Sequence, residues 1–129
     1  MRIGILGGTG PAGSALAARL ATIGYDAVIG SRSKYRAMEA RDALVEKSPE
    51  LADRLAFGDN VAAADCDVVV IATPWDSAAT TAQENSAALE GKVVISMANA
   101  LVRVGHEFQP LVPPRGSVAA HVQAAVPGA

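Results

Sequence analysis

A chain of 129 residues is long enough for one domain that buries roughly two thirds of its unfolded surface, and it needs no disulfide to do so. Half of it is hydrophobic but only 4% is aromatic, and 11 basic against 13 acidic residues leave a net charge of −2 with no basic run or aromatic-interleaved patch, which excludes a nucleic-acid partner. No stretch approaches ~18 uninterrupted apolar residues, which excludes a membrane span, and a strand-like run from residue 2 leaves no room for a secretory leader, so a cytoplasmic location is expected.

The first element is Arg2-Ile3-Gly4-Ile5-Leu6, an apolar strand. It runs into Gly8-Thr9-Gly10-Pro11-Ala12-Gly13 and then into Ser14 to Leu20, which reads as a helix with Leu16, Leu20 and Ile23 on one face and Gly24 placed to end it. Strand, glycine turn and helix in this order form the dinucleotide fingerprint in its proper setting. One glycine turns sharply, one lets backbone N–H groups approach a pyrophosphate, and one brings helix close to strand. The pyrophosphate would lie at the positive end of the helix. The wider spacing Gly7-x-x-Gly10-x-x-Gly13 is satisfied as well, so spacing alone does not separate the subclasses of this fold.

Asp26 to Gly30 reads as the second strand. An acidic residue near its end would accept from a ribose 2′-hydroxyl in an NAD site; here, about 18 to 20 residues past the last motif glycine, the chain has Ser31-Arg32-Ser33-Lys34 and no carboxylate. A hydroxyl, a guanidinium and an ammonium suit a 2′-phosphate, which predicts NADP as the cofactor. Lys34 and Arg36 also stand at a helix start, where positive charge is mildly unfavourable unless an anion binds there. Serine and lysine at this spacing also occur in acyl-transfer enzymes, whose companion motifs are missing.

That second helix runs from Ser33 or Lys34 to about Lys47, where Ser48-Pro49 stops it. Leu55-Ala56-Phe57 forms a short edge strand and Val61 to Ala64 a small helix. Asp67 to Ala72 is a buried strand without alternation, as in a parallel sheet covered on both faces, and Thr73-Pro74-Trp75 ends it. A polar helix over about Asp76 to Leu89 is closed by Gly91, and Lys92 to Met97 reads as another central strand. Beyond Asn99 the pattern thins, Pro113-Pro114 breaks it, and Ser117 to Val126 forms a last helix. The lone Cys66, beside a buried strand, is a packed small side chain.

The alternation implies an α/β fold, a doubly wound parallel sheet of order 3-2-1-4-5. Gly7-Gly8-Thr9-Gly10-Pro11-Ala12-Gly13, Val28-Ile29-Gly30-Ser31-Arg32 and Ile71-Ala72-Thr73-Pro74-Trp75 together resemble the NADPH-dependent coenzyme F420 reductases along essentially the whole chain. The resemblance implies an oxidoreductase that passes hydride between NADP and the deazaflavin coenzyme F420, with residues 1–129 as its NADP-binding Rossmann domain. Thr9, Gly10, Pro11 and Ala12 would hold the pyrophosphate, alongside Gly8 and Gly13. Ser31, Arg32 and either Lys34 or Arg36 would hold the 2′-phosphate. Thr73, Pro74 and Trp75 would border the nicotinamide, with Trp75 against cofactor or as core filler, and Met97 to Leu101, including Ala98 and Asn99, would form the opposite wall. Members of the family continue into a further strand and a helical region; the chain reads as lacking these, and an exposed sheet edge or apolar patch left there would let two copies pair as a homodimer.

Two rings that exchange hydride directly need stacking and exclusion of water rather than an acid or base, which matches a sequence without a catalytic constellation. His106 and His121 are separated and have no metal-ligand companions, so neither a metal nor a catalytic side chain is expected. The tyrosine/lysine pair of short-chain dehydrogenases is absent, since Tyr25 and Tyr35 flank the second strand. The competing readings are a reductase module with a metal, flavin or imine acceptor, and a non-catalytic NADP(H)-sensing module.

Overall fold

The computed structural model describes residues 1–129. Five parallel strands, β1 (Arg2–Leu6), β2 (Asp26–Ser31), β3 (Leu55–Asp59), β4 (Val68–Ile71) and β5 (Val93–Ser96), form one sheet in the order 3-2-1-4-5. The expected order is thus observed. Alternate residues of each strand feed two cores. Ile3, Ile5, Ala27, Ile29 and Val70 face α1 (Pro11–Thr22) and α2 (Lys34–Lys47), while Leu6, Val28, Val69 and Ile71 face α3 (Asn60–Ala64), α4 (Ala78–Glu84), α5 (Ser86–Leu89) and α6 (Val118–Ala125). Burial on both faces is why these strands read as continuous apolar runs. The helices approach closely because their inward residues are small: Ala17, Ala21, Ala37, Ala63, Ala78 and Ala82 are buried.

Three expectations need correction. The helix over Asp76–Leu89 is broken into a 3-10 turn at Trp75–Ser77, then α4, then α5. The break falls at Asn85, whose Nδ2 donates to the Thr81 carbonyl at 2.8 Å and so competes with the helical ladder. The strand at 92–97 is an edge, not a central strand: β5 pairs only with β4, and Val93 and Ile95 are 64% and 49% exposed. The segment past Asn99 contains an antiparallel hairpin, β6 (Leu101–Val104) with β7 (Glu107–Pro110). Gly105, at φ +62, is the first of two turn residues and His106 has no positive φ, the pattern of a type II′ turn.

The chain winds from β1 outward to β3 and then returns to place β4 on the other side of β1. A crevice opens at the carboxyl ends of β1 and β4, where the winding reverses, and ligands of such sheets bind at that position.

Candidate functional site

The crevice is a cleft of about 570 Å³. Its floor is the β1–α1 turn. Gly7 makes the sharp bend at φ +67, and a Cβ there would also lie 2.6 Å from the Thr73 side chain, so both conformation and space call for glycine. Gly8 is required by space as well, since a Cβ on it would lie 2.9 Å from the Ile5 carbonyl oxygen, so both glycine spacings have a structural reason. Gly8 is tied beneath the turn by its N–H to the Gly30 carbonyl at 2.8 Å and does not line the cleft. Gly13 brings α1 against the turn, since a Cβ on it would be 2.7 Å from the Gly8 Cα.

Gly10 is different. Its backbone (φ −74, ψ 170) suits any residue, and a Cβ on it would meet nothing within 4 Å. Gly10 caps α1 without a side chain, Pro11 occupies the first turn, and no acidic residue lies there. Pro11 has no N–H, so Ala12 and Gly13 supply the unpaired backbone donors of that first turn, where the helix dipole favours an anion. The open space at Gly10 and these donors fit a pyrophosphate.

Ser31, Arg32, Ser33 and Arg36 form the neighbouring wall. Ser31 is buried at the end of β2, and its Oγ accepts the Ser33 N–H at 3.2 Å, which curls the chain into α2. Ser33 then caps α2, its Oγ accepting the Arg36 N–H, and again the first turn holds no acid. Lys34 lies outside the cleft lining, so Arg36 is the base that joins Arg32. An acid does stand close by: Asp59 pairs with Ser31 across the sheet. Its Oδ1 accepts the Ala62 N–H at 2.8 Å as the cap of α3, and Asp59 is not among the residues that line the cleft.

Ala72, Thr73 and Pro74 form the far wall, with Ser77, Thr80, Thr81 and Glu84 beyond. The Thr73 Oγ1 is buried and has no hydrogen-bond partner in the protein, an orphan that a polar ligand would satisfy. Trp75 is not among the residues that line the cleft; it is half-buried and packs against the core cluster that includes Ala78, Ala82, Val118 and Val122. Ala98 and Asn99 are also elsewhere. They line a neighbouring open cavity of about 520 Å³ between the end of β5, the hairpin and the start of α6.

Of the residues expected at the site, Thr9, Gly10, Ser31, Arg32, Arg36, Thr73 and Pro74 thus converge on one cleft. Asn60 lines it too and escaped the sequence reading, because its link to the glycine turn spans 53 positions. Glu84 and the α4 threonines were likewise missed, and only the polarity of that helix hinted at them.

No group of His, Cys, Asp and Glu is placed to hold a metal. Cys66 is buried, and desolvation pushes its thiol above the ordinary value, against the nearby Arg2 and Lys92 charges, so the reactive thiolate is disfavoured. No helix is long and apolar enough to cross a membrane.

Residues 2–100 match the model of the family described as NADP oxidoreductase, coenzyme F420-dependent. An F420-dependent NADP reductase of Methanocaldococcus jannaschii is 38% identical over 95% of this chain and 57% of its own length. One from Methanothermobacter marburgensis is 33% identical over 74% of this chain and 43% of its own. Among solved structures, one described as an F420-dependent NADP-reductase from Arthrobacter sp. FB24 superposes with a TM-score of 0.78 at 26% identity, covering all of this chain and 59% of that one. The chain therefore spans 43–57% of the length of these two curated relatives. Its match through residue 100, on a Rossmann sheet whose glycine turn and arginine wall meet at the switch point, means that the chain belongs to the coenzyme F420-dependent NADP oxidoreductase family.

Proposed function

We propose that residues 1–129 form an NADP-binding domain that transfers hydride between NADP(H) and coenzyme F420. The observation that carries the cofactor half is the meeting of the uncapped start of α1 with Arg32 and Arg36 beside the start of α2, in a cleft whose one lining carboxylate, Glu84, stands in the α4 wall. Thr9 and Gly10, with the Ala12 and Gly13 N–H groups, hold the pyrophosphate; Ser31, Arg32 and Arg36 hold the 2′-phosphate. Thr73 and Pro74 lie where the chain leaves β4, and the Thr73 hydroxyl serves the nicotinamide end.

The nicotinamide supplies the hydride when bound. The chain's part is to fix that ring and keep water from its face, and no side chain need move a proton at this step. The names of the relatives support F420 as the acceptor. The same reading carries a cytoplasmic location, consistent with a single, buried cysteine. It carries no nucleic-acid or membrane partner. It also carries pairing of two copies along the free β5 edge, where Val93 and Ile95 stand exposed.

Titration with NADPH and NADH tests the cofactor assignment. Hydrogen bonds to charged groups contribute about 1.5–3 kcal/mol, so Arg32→Ala is expected to weaken NADPH binding by roughly ten- to hundredfold and leave NADH almost unchanged. Equal losses for both would contradict it.

A further inference from the structure

Asn60 stands at the start of α3, outside every motif that marks the site. Its side chain is buried, with the residue 9% exposed, and its Oδ1 accepts the Gly7 N–H at 3.2 Å. The same oxygen reaches the β2 backbone: a Cβ on Gly30 would lie 3.1 Å from it. The acceptor end of the amide is thus fixed where β1 and β2 finish, and a backbone donor dictates which end faces the turn. The other end carries two N–H donors. That Nδ2 has no hydrogen-bond partner in the protein and is not sealed from the surface, while Asn60 lines the cleft together with Ser31, Arg32 and Arg36. Asn60 follows directly on Asp59, the sheet partner of Ser31 at the end of β2, and shares the cleft with Arg32.

We infer that Asn60 is a positioning and specificity-determining residue, holding the Gly7 turn through Oδ1 and donating through Nδ2 to the phosphorylated ribose of the cofactor. The inference rests on the NADP reading above and adds to it. The amide is a neutral donor beside two guanidinium groups, and an anionic oxygen in its place would face the 2′-phosphate with like charge.

Asn60→Asp separates the two halves of this role. The carboxylate keeps an acceptor for the Gly7 N–H but loses the donor and gains charge. Expected are a melting temperature near that of the parent, NADPH binding weakened at least about tenfold, and NADH binding changed by no more than about threefold. Asn60→Ala, which removes both ends, should lower the melting temperature and weaken both cofactors. A purely structural role predicts that N60D keeps the parent preference for NADPH, and that result would overturn the inference. Arg32→Ala run in parallel distinguishes the causes: a preference lost in R32A and kept in N60D defeats the Asn60 assignment alone, whereas a parent protein with no preference defeats the cofactor reading and this inference with it. Should N60D not fold, the side-chain amide signal of Asn60 in the parent protein provides the test by nuclear magnetic resonance. It should shift with NADP⁺ and much less with NAD⁺; equal shifts would overturn the inference.

Discussion

Two glycines three positions apart in the β1–α1 turn make opposite demands. Gly7 is needed by the fold: alanine there would occupy a left-handed conformation, costing about 1–2 kcal/mol before its contact with Thr73 is counted. The protein itself makes no such demand at Gly10, where the backbone tolerates a side chain and a methyl would meet nothing within 4 Å; under the proposed reading it is the pyrophosphate that calls for glycine there. Gly10→Ala should therefore cost less than about 1 kcal/mol of stability in urea unfolding yet weaken NADPH binding at least about tenfold, while Gly7→Ala should lose stability first. Comparable affinity in G10A and the parent would contradict this placement of the pyrophosphate. At this scale local motifs mark residues that line the cleft, as Arg32 and Thr9 do. The sequence was ambiguous over which glycine turns the chain, because both spacings fit, and blind to Asn60, because a hydrogen bond between positions 7 and 60 leaves no local pattern.

The elements that build the site are held by short capping contacts. Helix α3 is only five residues long, too short to persist by propensity, and the Asp59 carboxylate on the Ala62 N–H fixes its start beside the cleft. Asp59→Ala should remove about 1 kcal/mol, seen as a lower urea midpoint, and an unchanged midpoint would show that the cap is idle. Strands β1, β2 and β4 were legible because burial on two faces imprints an uninterrupted apolar run. The same run misled at β5, where three of the four residues are apolar but the strand has one neighbour and an uncovered face. The β6–β7 hairpin had a usable signal, the Gly105-His106 pair between Val104 and Glu107. Its strands, exposed throughout, lack the hydrophobic alternation by which half-buried strands are recognised. The helix over 76–89 hid its break in one residue, Asn85, whose side chain turns back on the preceding carbonyl.

In the molecule as a whole, the side of the sheet that carries α1 is covered over β1 to β3 and bare near β5. There Ile3, Leu16, Leu20, Val68, Val70, Ile95 and Met97 line a wholly apolar groove of about 300 Å³, continuous with the β5 edge. An apolar surface beside an unpaired strand favours association with a second copy. Sedimentation should show a concentration-dependent dimer, and Ile95→Lys, which places a charge on a half-exposed edge position, should shift it to monomer without loss of NADPH binding. A parent chain that is monomeric at all concentrations would contradict the pairing. The cleft proposed to hold the cofactor lies at the carboxyl ends of the strands and draws on no residue of that groove. Function is most directly tested by mixing the purified chain with NADPH and oxidised coenzyme F420 and following the visible absorbance of the deazaflavin. Hydride transfer predicts loss of that absorbance with NADPH and far slower loss with NADH; persistence of the absorbance, with the chain folded and NADPH bound, would contradict it.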